Sequence, residues 1–255
     1  MGEGVRPIVK PPVGRFYAEL ADCVPGSEIA LSPEESHHLL RVLRACPGDA
    51  LRVFGDGREF AASLVRSQRG IATVALEPRL EPPPPPRVAL WPAVPFLKGG
   101  RTEFLVEKLT EMGVAGIIAY SAARDVARPG QDKAQRLQRV VLSASKQCER
   151  ADLPALVIAP TLAAALGAAP GTAHRVVLIE RSESQRLGEV AAILATPASP
   201  HPAIVFATGP EGGFDPAELE ACGPFAAASL GPRILRADTA PLVAAAVILH
   251  AYGEF

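Results

Sequence analysis

Residues 204–249 carry two glycine-proline turns, Gly209-Pro210-Glu211-Gly212-Gly213-Phe214 and Leu230-Gly231-Pro232-Arg233-Ile234-Leu235-Arg236, each after an apolar run and each leading into a helical pattern. Short apolar runs bounded by turn residues read as buried strands, and 204–208 and 225–230 have that form. Both strands stop at glycine, where a backbone without a side chain can come close to a bound molecule. Glycine and proline also punctuate ordinary strand-to-helix connections, so either turn taken singly permits both readings.

The helix signals behind the turns are specific. Asp215 is placed to cap the first helix, Pro216 suits its first turn, and Glu218 follows three after the cap, the spacing of a capping box. Thr239 or Asp238 is placed to cap the second, with Pro241 just inside it. The apolar stretch 242–249 is too short to span a bilayer and reads as a core helix.

Taken together, Gly-Pro-Glu-Gly-Gly-Phe and Leu-Gly-Pro-Arg-Ile-Leu-Arg-Ala-Asp-Thr-Ala resemble the knot-forming end of SPOUT-class methyltransferases, specifically the RsmE family of bacterial 16S ribosomal RNA uridine-N3 methyltransferases. Arg41-Val42-Leu43-Arg44 with Pro47-Gly48-Asp49, the run Lys98, Arg101, Glu103, Lys108, Glu111, Gly113 and Val114, and Gln147-Cys148-Glu149-Arg150 fit the same family in order. Ala240-Pro241 departs from it where a second Thr often follows the first. The resemblance implies an α/β, parallel-sheet SPOUT domain with a deep trefoil knot, a small N-terminal PUA-like β-barrel that binds RNA, and a homodimer paired through the last helix.

With 48% hydrophobic and 21% charged residues, the 255-residue chain can bury a sizeable core in one large or two smaller domains. The first fourteen residues contain charges and prolines but no apolar signal segment, so the expected location is cytoplasmic. Cys23, Cys46, Cys148 and Cys222 form no Cys-x-x-Cys pair, which argues against zinc and for reduced, mostly buried thiols. His37 and His38 are adjacent, hence about 100° apart on a helix, and cannot make a two-histidine metal face; no metal is expected. Net charge is −1, but unevenly distributed: residues 1–86 carry 10 basic and 11 acidic side chains, 87–150 carry 11 and 6, and 151–255 carry 5 and 10. A basic middle third suits a structured RNA and equally suits solvated helix faces.

Along the chain, 15–20, 28–31, 50–54, 59–65 and 71–76 read as short strands, with Gly55-Asp56-Gly57 as a hairpin signal. Several short strands suggest a barrel. One helix interrupts them, capped by Ser32, with Pro33 in its first turn, Glu35 completing a capping box, and Leu39, Leu40, Val42 and Leu43 as its apolar face. Arg41 and Arg44 then fall on one side of it. The polyproline run 81–86 is a semi-rigid linker between a domain at 1–80 and a second at 87–255. In the second, strands 88–91, 114–120 and 175–180 alternate with helices 102–112 and 133–150, a pattern that implies a parallel sheet covered by helices on both faces.

A nucleotide-like cofactor is expected at the carboxyl ends of such strands. Three ends qualify: Leu178-Ile179-Glu180, Thr208-Gly209 and Leu230-Gly231. Neither the Gly-x-Gly-x-x-Gly fingerprint nor a Walker A pattern is present, which removes the main support for NAD or ATP. The resemblance implies S-adenosylmethionine, held by Leu178, Glu180, Thr208, Gly209, Gly213, Leu230, Gly231 and Thr239, with Ile234 and Leu235 packing on the adenine. Methylating uridine N3 requires loss of an imide proton and approach to an activated methyl. Glu211 is a candidate for contacting the imide or for capping its own loop. Arg236 is a candidate for stabilising the uridine anion or for binding phosphate. Arg15, Arg41, Arg44, Lys98 and Arg101 are the expected grips on 16S ribosomal RNA within the small subunit. Two rivals stand beside this function: a SPOUT-class 2′-O-ribose methyltransferase of transfer or ribosomal RNA, and a non-catalytic RNA-binding assembly factor. The family order of 41–44 disfavours the first, and the intact Gly209, Gly212, Gly213 and Gly231 disfavour the second.

Overall fold

The computed structural model describes residues 11–124, 131–180, 184–195 and 202–255. Its contacts form two units: described residues up to Pro83 together with Ser145–Leu153, and Pro84–Ala144 together with Pro154–Phe255.

In the first unit, strands β1 (Arg15–Tyr17), β2 (Glu28–Ala30), β3 (Ala50–Gly55), β4 (Arg58–Gln68) and β5 (Ile71–Leu80) form a sheet in the order β1-β3-β4-β5-β2. Strict alternation puts Phe60, Ala62 and Leu64 of β4 and Ala72, Val74 and Leu76 of β5 on one face, and that face makes the core with Phe16, Leu31, Leu39, Leu51 and Val53. The β3–β4 hairpin closes through Asp56 and Gly57, both at positive φ, as a two-residue turn between twisted strands requires.

The helix between β2 and β3 is less regular than its sequence pattern. α1 (Pro33–His37) passes directly into a π-helical turn, His38–Val42, after which Arg44 adopts φ +55°. Leu39 is fully buried, but Val42 and Leu43 are exposed, so the expected four-residue apolar face is not present. Arg41 and Arg44 therefore sit on a π-turn and a left-handed residue, not on one α-helical side. Ser32 Oγ does cap α1, accepting from Glu35 N at 3.2 Å. Glu35 does not complete the box; its buried carboxylate accepts from Lys146 Nζ at 2.6 Å.

Lys146 belongs to the segment that the sequence assigned wholly to the second domain. The end of the long helix and the residues after it return to the first unit because charged groups there need buried partners. Arg15 pairs through both Nε and Nη2 with Glu59, at 2.9 and 3.0 Å, and donates to the carbonyls of Ser145, Glu149 and Arg150 at 2.8–3.1 Å. Its guanidinium also lies 3.7 Å from the Phe54 ring centroid. Arg52 adds an ion pair to Glu149, which holds that carboxyl below its usual range, chiefly through their hydrogen bond.

The second unit contains a six-stranded parallel sheet of β6 (Ala89–Pro95), β7 (Gly116–Tyr120), β8 (Ala155–Ala159), β9 (His174–Leu178), β10 (Ala203–Ala207) and β11 (Ala226–Ala228), in the order β11-β9-β10-β6-β7-β8. Its helices are α2 (Arg101–Glu111), α3 (Gln131–Gln147), α4 (Leu162–Ala168), α5 (Leu187–Leu194), α6 (Pro216–Glu220) and α7 (Ala240–Ala251). Alternate strand residues Ala93, Ile118, Tyr120, Val177, Val205 and Ala207 pack with Leu162, Ala165 and Leu166 of α4 and with Leu219 and Cys222 at α6. Their neighbours Leu90, Ile117, Ile204 and Phe206 are equally buried on the opposite side, where α7 packs against β6, α2 and α5. Burial on both faces is what makes these strands read as continuous apolar runs.

Cys222 is buried, Cys23 and Cys148 are partly so, and Cys46 is exposed, which corrects the expectation of mostly buried thiols. Among the described residues no helix is long and apolar enough to cross a membrane.

Candidate active site

Strand order decides the site. β9 and β10 are direct neighbours and β11 lies beside β9, so the three carboxyl ends that the sequence scatters over fifty residues open side by side. Around them lies a cavity of about 420 Å³, within the range of small-molecule sites. From β9 come Leu178, Ile179 and Glu180; from β10 come Thr208, Gly209, Pro210, Glu211, Gly213 and Phe214, with Leu219 of α6; from β11 come residues 229–237, with Ala240 of α7.

Each predicted cofactor residue can be placed. Leu178, Glu180, Thr208, Gly209, Gly213, Leu230, Gly231, Ile234 and Leu235 line the cavity, as do Glu211 and Arg236. Thr239 does not: it is the exposed residue immediately before α7, and its hydroxyl faces Asp238 Oδ1 at 3.4 Å without capping the helix. Lining residues that were given no role from the sequence include Phe214 and Arg233, which lie within the two turns, and Leu219 and Ser229, which do not. Phe214 carried a legible signal, as the aromatic closing the glycine turn. Leu219 carried none, because only the packing of α6 brings it in.

Two observations fit the cavity to a nucleoside-type cofactor. Thr208 is 1% exposed, and its Oγ1 has no hydrogen-bond partner among the described residues, an arrangement that costs free energy unless something in the cavity bonds to it. Around it, Leu178, Phe214, Leu219, Leu230, Ile234 and Leu235 supply an apolar wall, with Glu180, Glu211, Arg233 and Arg236 as the charged groups. Ile234 is 53% exposed, an apolar side chain left uncovered at the mouth.

The turns keep their shapes by different means. Gly231 has φ +120°, a region closed to side-chain-bearing residues, and an added Cβ would stand 2.7 Å from Arg186 Nη1. Gly213 is at φ +69° with nothing of the chain within 4 Å of an added Cβ, so backbone conformation, and not crowding by the protein, selects glycine there.

Asp215 caps α6, accepting from Ala217 N at 3.0 Å. Glu218 does not turn back to that cap; its Oε1 accepts from Ala123 N at 3.2 Å. Beside it the Cys222 thiol is pushed up, first by burial and then by Glu218, which leaves it protonated and unreactive near neutrality.

The five predicted RNA-binding residues separate. Arg15, only 9% exposed and fully engaged inside the first unit, is not available to a phosphate, which corrects its assignment. Arg41, Arg44 and Lys98 are exposed. Arg101, at the start of α2, reaches the glycine turn and pairs with Glu211 at 2.6 Å. The residue expected to contact the imide and one expected phosphate grip are thus one ion pair.

A family model for an RNA methyltransferase domain matches residues 84–249. A Synechocystis sp. protein named ribosomal RNA small subunit methyltransferase E is 34% identical over 226 residues, spanning 86% of this chain and 72% of the relative. Its Bacillus subtilis counterpart is 30% identical over 254 residues, spanning 92% and 96%. Among solved structures, ribosomal RNA small subunit methyltransferase E from Neisseria gonorrhoeae bound to S-adenosyl methionine superposes with a TM-score of 0.77 at 27% identity, covering 91% of this chain and 95% of that one. With the cavity at its strand ends and these relatives along nearly its full length, the chain belongs to the ribosomal RNA small subunit methyltransferase E family of RNA methyltransferases.

Proposed function

We propose that this protein transfers a methyl group from S-adenosylmethionine to N3 of a uridine in 16S ribosomal RNA. The observation that carries the reading is the cavity itself: three parallel strand ends, two glycine turns and a buried, unpartnered Thr208 hydroxyl converge on one apolar-walled space. Bound there, the cofactor would supply a methyl already activated by its sulfonium. The chain's own residues would then hold and deprotonate. Thr208 Oγ1 and the backbone at Gly209, Gly213 and Gly231 would hold the cofactor, and Ile234 and Leu235 would cover its base.

Glu211, on the cavity wall and half exposed, would contact the uridine imide. Its pairing with Arg101 at 2.6 Å would fix the direction in which the carboxylate faces. Arg236, exposed at the mouth, is placed to stabilise the uridine anion. Arg41 and Arg44, on a first unit read as a PUA-like barrel, and Lys98, on the second unit, are the remaining phosphate grips, and the glycine-turn stretch 204–249 is read as the knot-forming end of a trefoil knot.

Mass spectrometry of 16S ribosomal RNA nucleosides tests this. A strain lacking the protein should lose one N3-methyluridine, wild type should restore it, and Glu211→Gln should restore about a hundredth or less of the initial rate, the scale of a lost acid–base contribution. Arg41→Ala with Arg44→Ala should lower methylation and flatten the salt dependence of RNA binding, with cofactor affinity intact. An unchanged N3-methyluridine content in the deletion strain would overturn the proposal.

A further inference from the structure

The stretch from Tyr120 to Arg124, at the end of β7, lines none of the cavity yet bonds successively to Thr208 in its wall and to Glu218 and Gly212, each next in sequence to wall residues. Tyr120 Oη donates to Thr208 O at 2.8 Å, Ala123 N donates to Glu218 Oε1 at 3.2 Å, and Arg124 Nη1 donates to Gly212 O at 2.9 Å. Arg124 Nη2 also faces Asp215 Oδ2 at 3.4 Å, while Oδ1 of the same carboxylate caps α6. The Arg124 stem runs along the turn, its Cδ 3.6 Å from where a Cβ on Gly212 would stand.

The turn needs such a hold. Gly212 and Gly213 are consecutive glycines, which lose the most conformational freedom on being ordered. Inside the turn, the backbone bond found is Gly213 N to Pro210 O at 3.0 Å. A planar guanidinium can serve the Gly212 carbonyl and the Asp215 carboxylate together; a lysine ammonium, a point donor, suits one better than both. The pair is roughly half exposed, so its Coulombic contribution to folding is small. What it supplies is the geometry of Glu211 and Gly213, which flank the gripped carbonyl and do line the cavity.

We infer that Arg124 is a positioning residue for methyl transfer: by gripping Gly212 O and Asp215 it holds the Glu211–Gly213 turn in the shape that receives the cofactor and aims Glu211. This rests on the proposed function. It differs from the role of Arg101, which touches the Glu211 carboxylate itself.

The test uses the full chain with Arg124→Ala and Arg124→Lys, reading S-adenosylmethionine affinity by calorimetry, methylation of small-subunit substrate, and thermal stability. Arg124→Ala should weaken cofactor binding and lower kcat each by about tenfold, as loss of a charge-assisted hydrogen bond implies, while the KM for RNA and the melting temperature stay near wild type. Arg124→Lys should recover part of the loss. Wild-type cofactor affinity and kcat in a folded Arg124→Ala protein would overturn the inference, as would losses that merely track unfolding in both variants. Should Arg124→Ala fail to fold, Arg124→Lys is judged on the same readouts. Failure of the wild type to bind the cofactor would instead reject the proposed function, so the two ideas fail separately.

Discussion

Arg15 gives Nε and Nη2 to Glu59, Nη1 to the Ser145 carbonyl in the last turn of α3, and Nη2 also to the Glu149 and Arg150 carbonyls just beyond it, so all three guanidinium nitrogens are engaged inside the protein. A helix leaves its last C=O groups without intrahelical partners, which suits the Ser145 carbonyl to a side-chain donor, and a cation at that end also suits the helix dipole. Arg15→Ala should destabilise the first unit by about 3 kcal/mol, since Glu59 is 2% exposed and among the described residues would keep Arg52, 3.5 Å away, as its cationic partner. Urea unfolding followed by fluorescence reads this. Cofactor affinity of the folded variant should not change. Wild-type stability combined with weakened RNA binding would return Arg15 to the role of phosphate grip. The residue's type was legible in the sequence, but its direction was not: an arginine on a short strand is as plausible outward as inward until the partner segment, 130 residues away, is in place.

At the scale of elements, local signals served well where the partner lies within a few residues. Ser32 and Asp215 cap their helices, and Asp56-Gly57 makes its hairpin, because each bond closes over a short loop. The acidic members of both expected capping boxes went elsewhere, Glu35 to Lys146 and Glu218 to Ala123 N, since tertiary donors outcompeted the local one. The turn after β11 offers the sharpest test of an element. Gly231→Ala forces a side-chain-bearing residue toward φ +120°, at about 1–3 kcal/mol of strain, which the turn relieves by moving its cavity-lining backbone. Calorimetry should show weakened S-adenosylmethionine binding with only a modest fall in stability. Undiminished affinity would mean that Gly231 shapes the turn without serving the site.

α7 buries Ala244, Ala245, Ile248 and Leu249 within the chain, while Leu242, Val243, Ala246 and Val247 stay half-buried in a helix without a charged face. Apolar side chains left at that level favour a partner surface, in keeping with a homodimer through this helix. Light scattering at micromolar concentration should return twice the chain mass, and Val243→Glu with Val247→Glu should return one. A monomeric wild type would reject the dimer.

By itself, the sequence determined what local chemistry controls: alternation in β3 to β5, the parallel-sheet pattern beyond the proline run, the glycine turns, and through their order the family. It placed most of the cavity wall because those residues sit within the turns themselves. Only the tertiary structure decided that β11 and β10 flank β9, that 145–153 returns to the first unit, and that Arg101 meets Glu211 while Arg124 meets Gly212. The physical reason is separation. Periodicity states which face of an element is apolar, but a charged side chain finds its partner through packing of distant segments, and no local pattern encodes that distance.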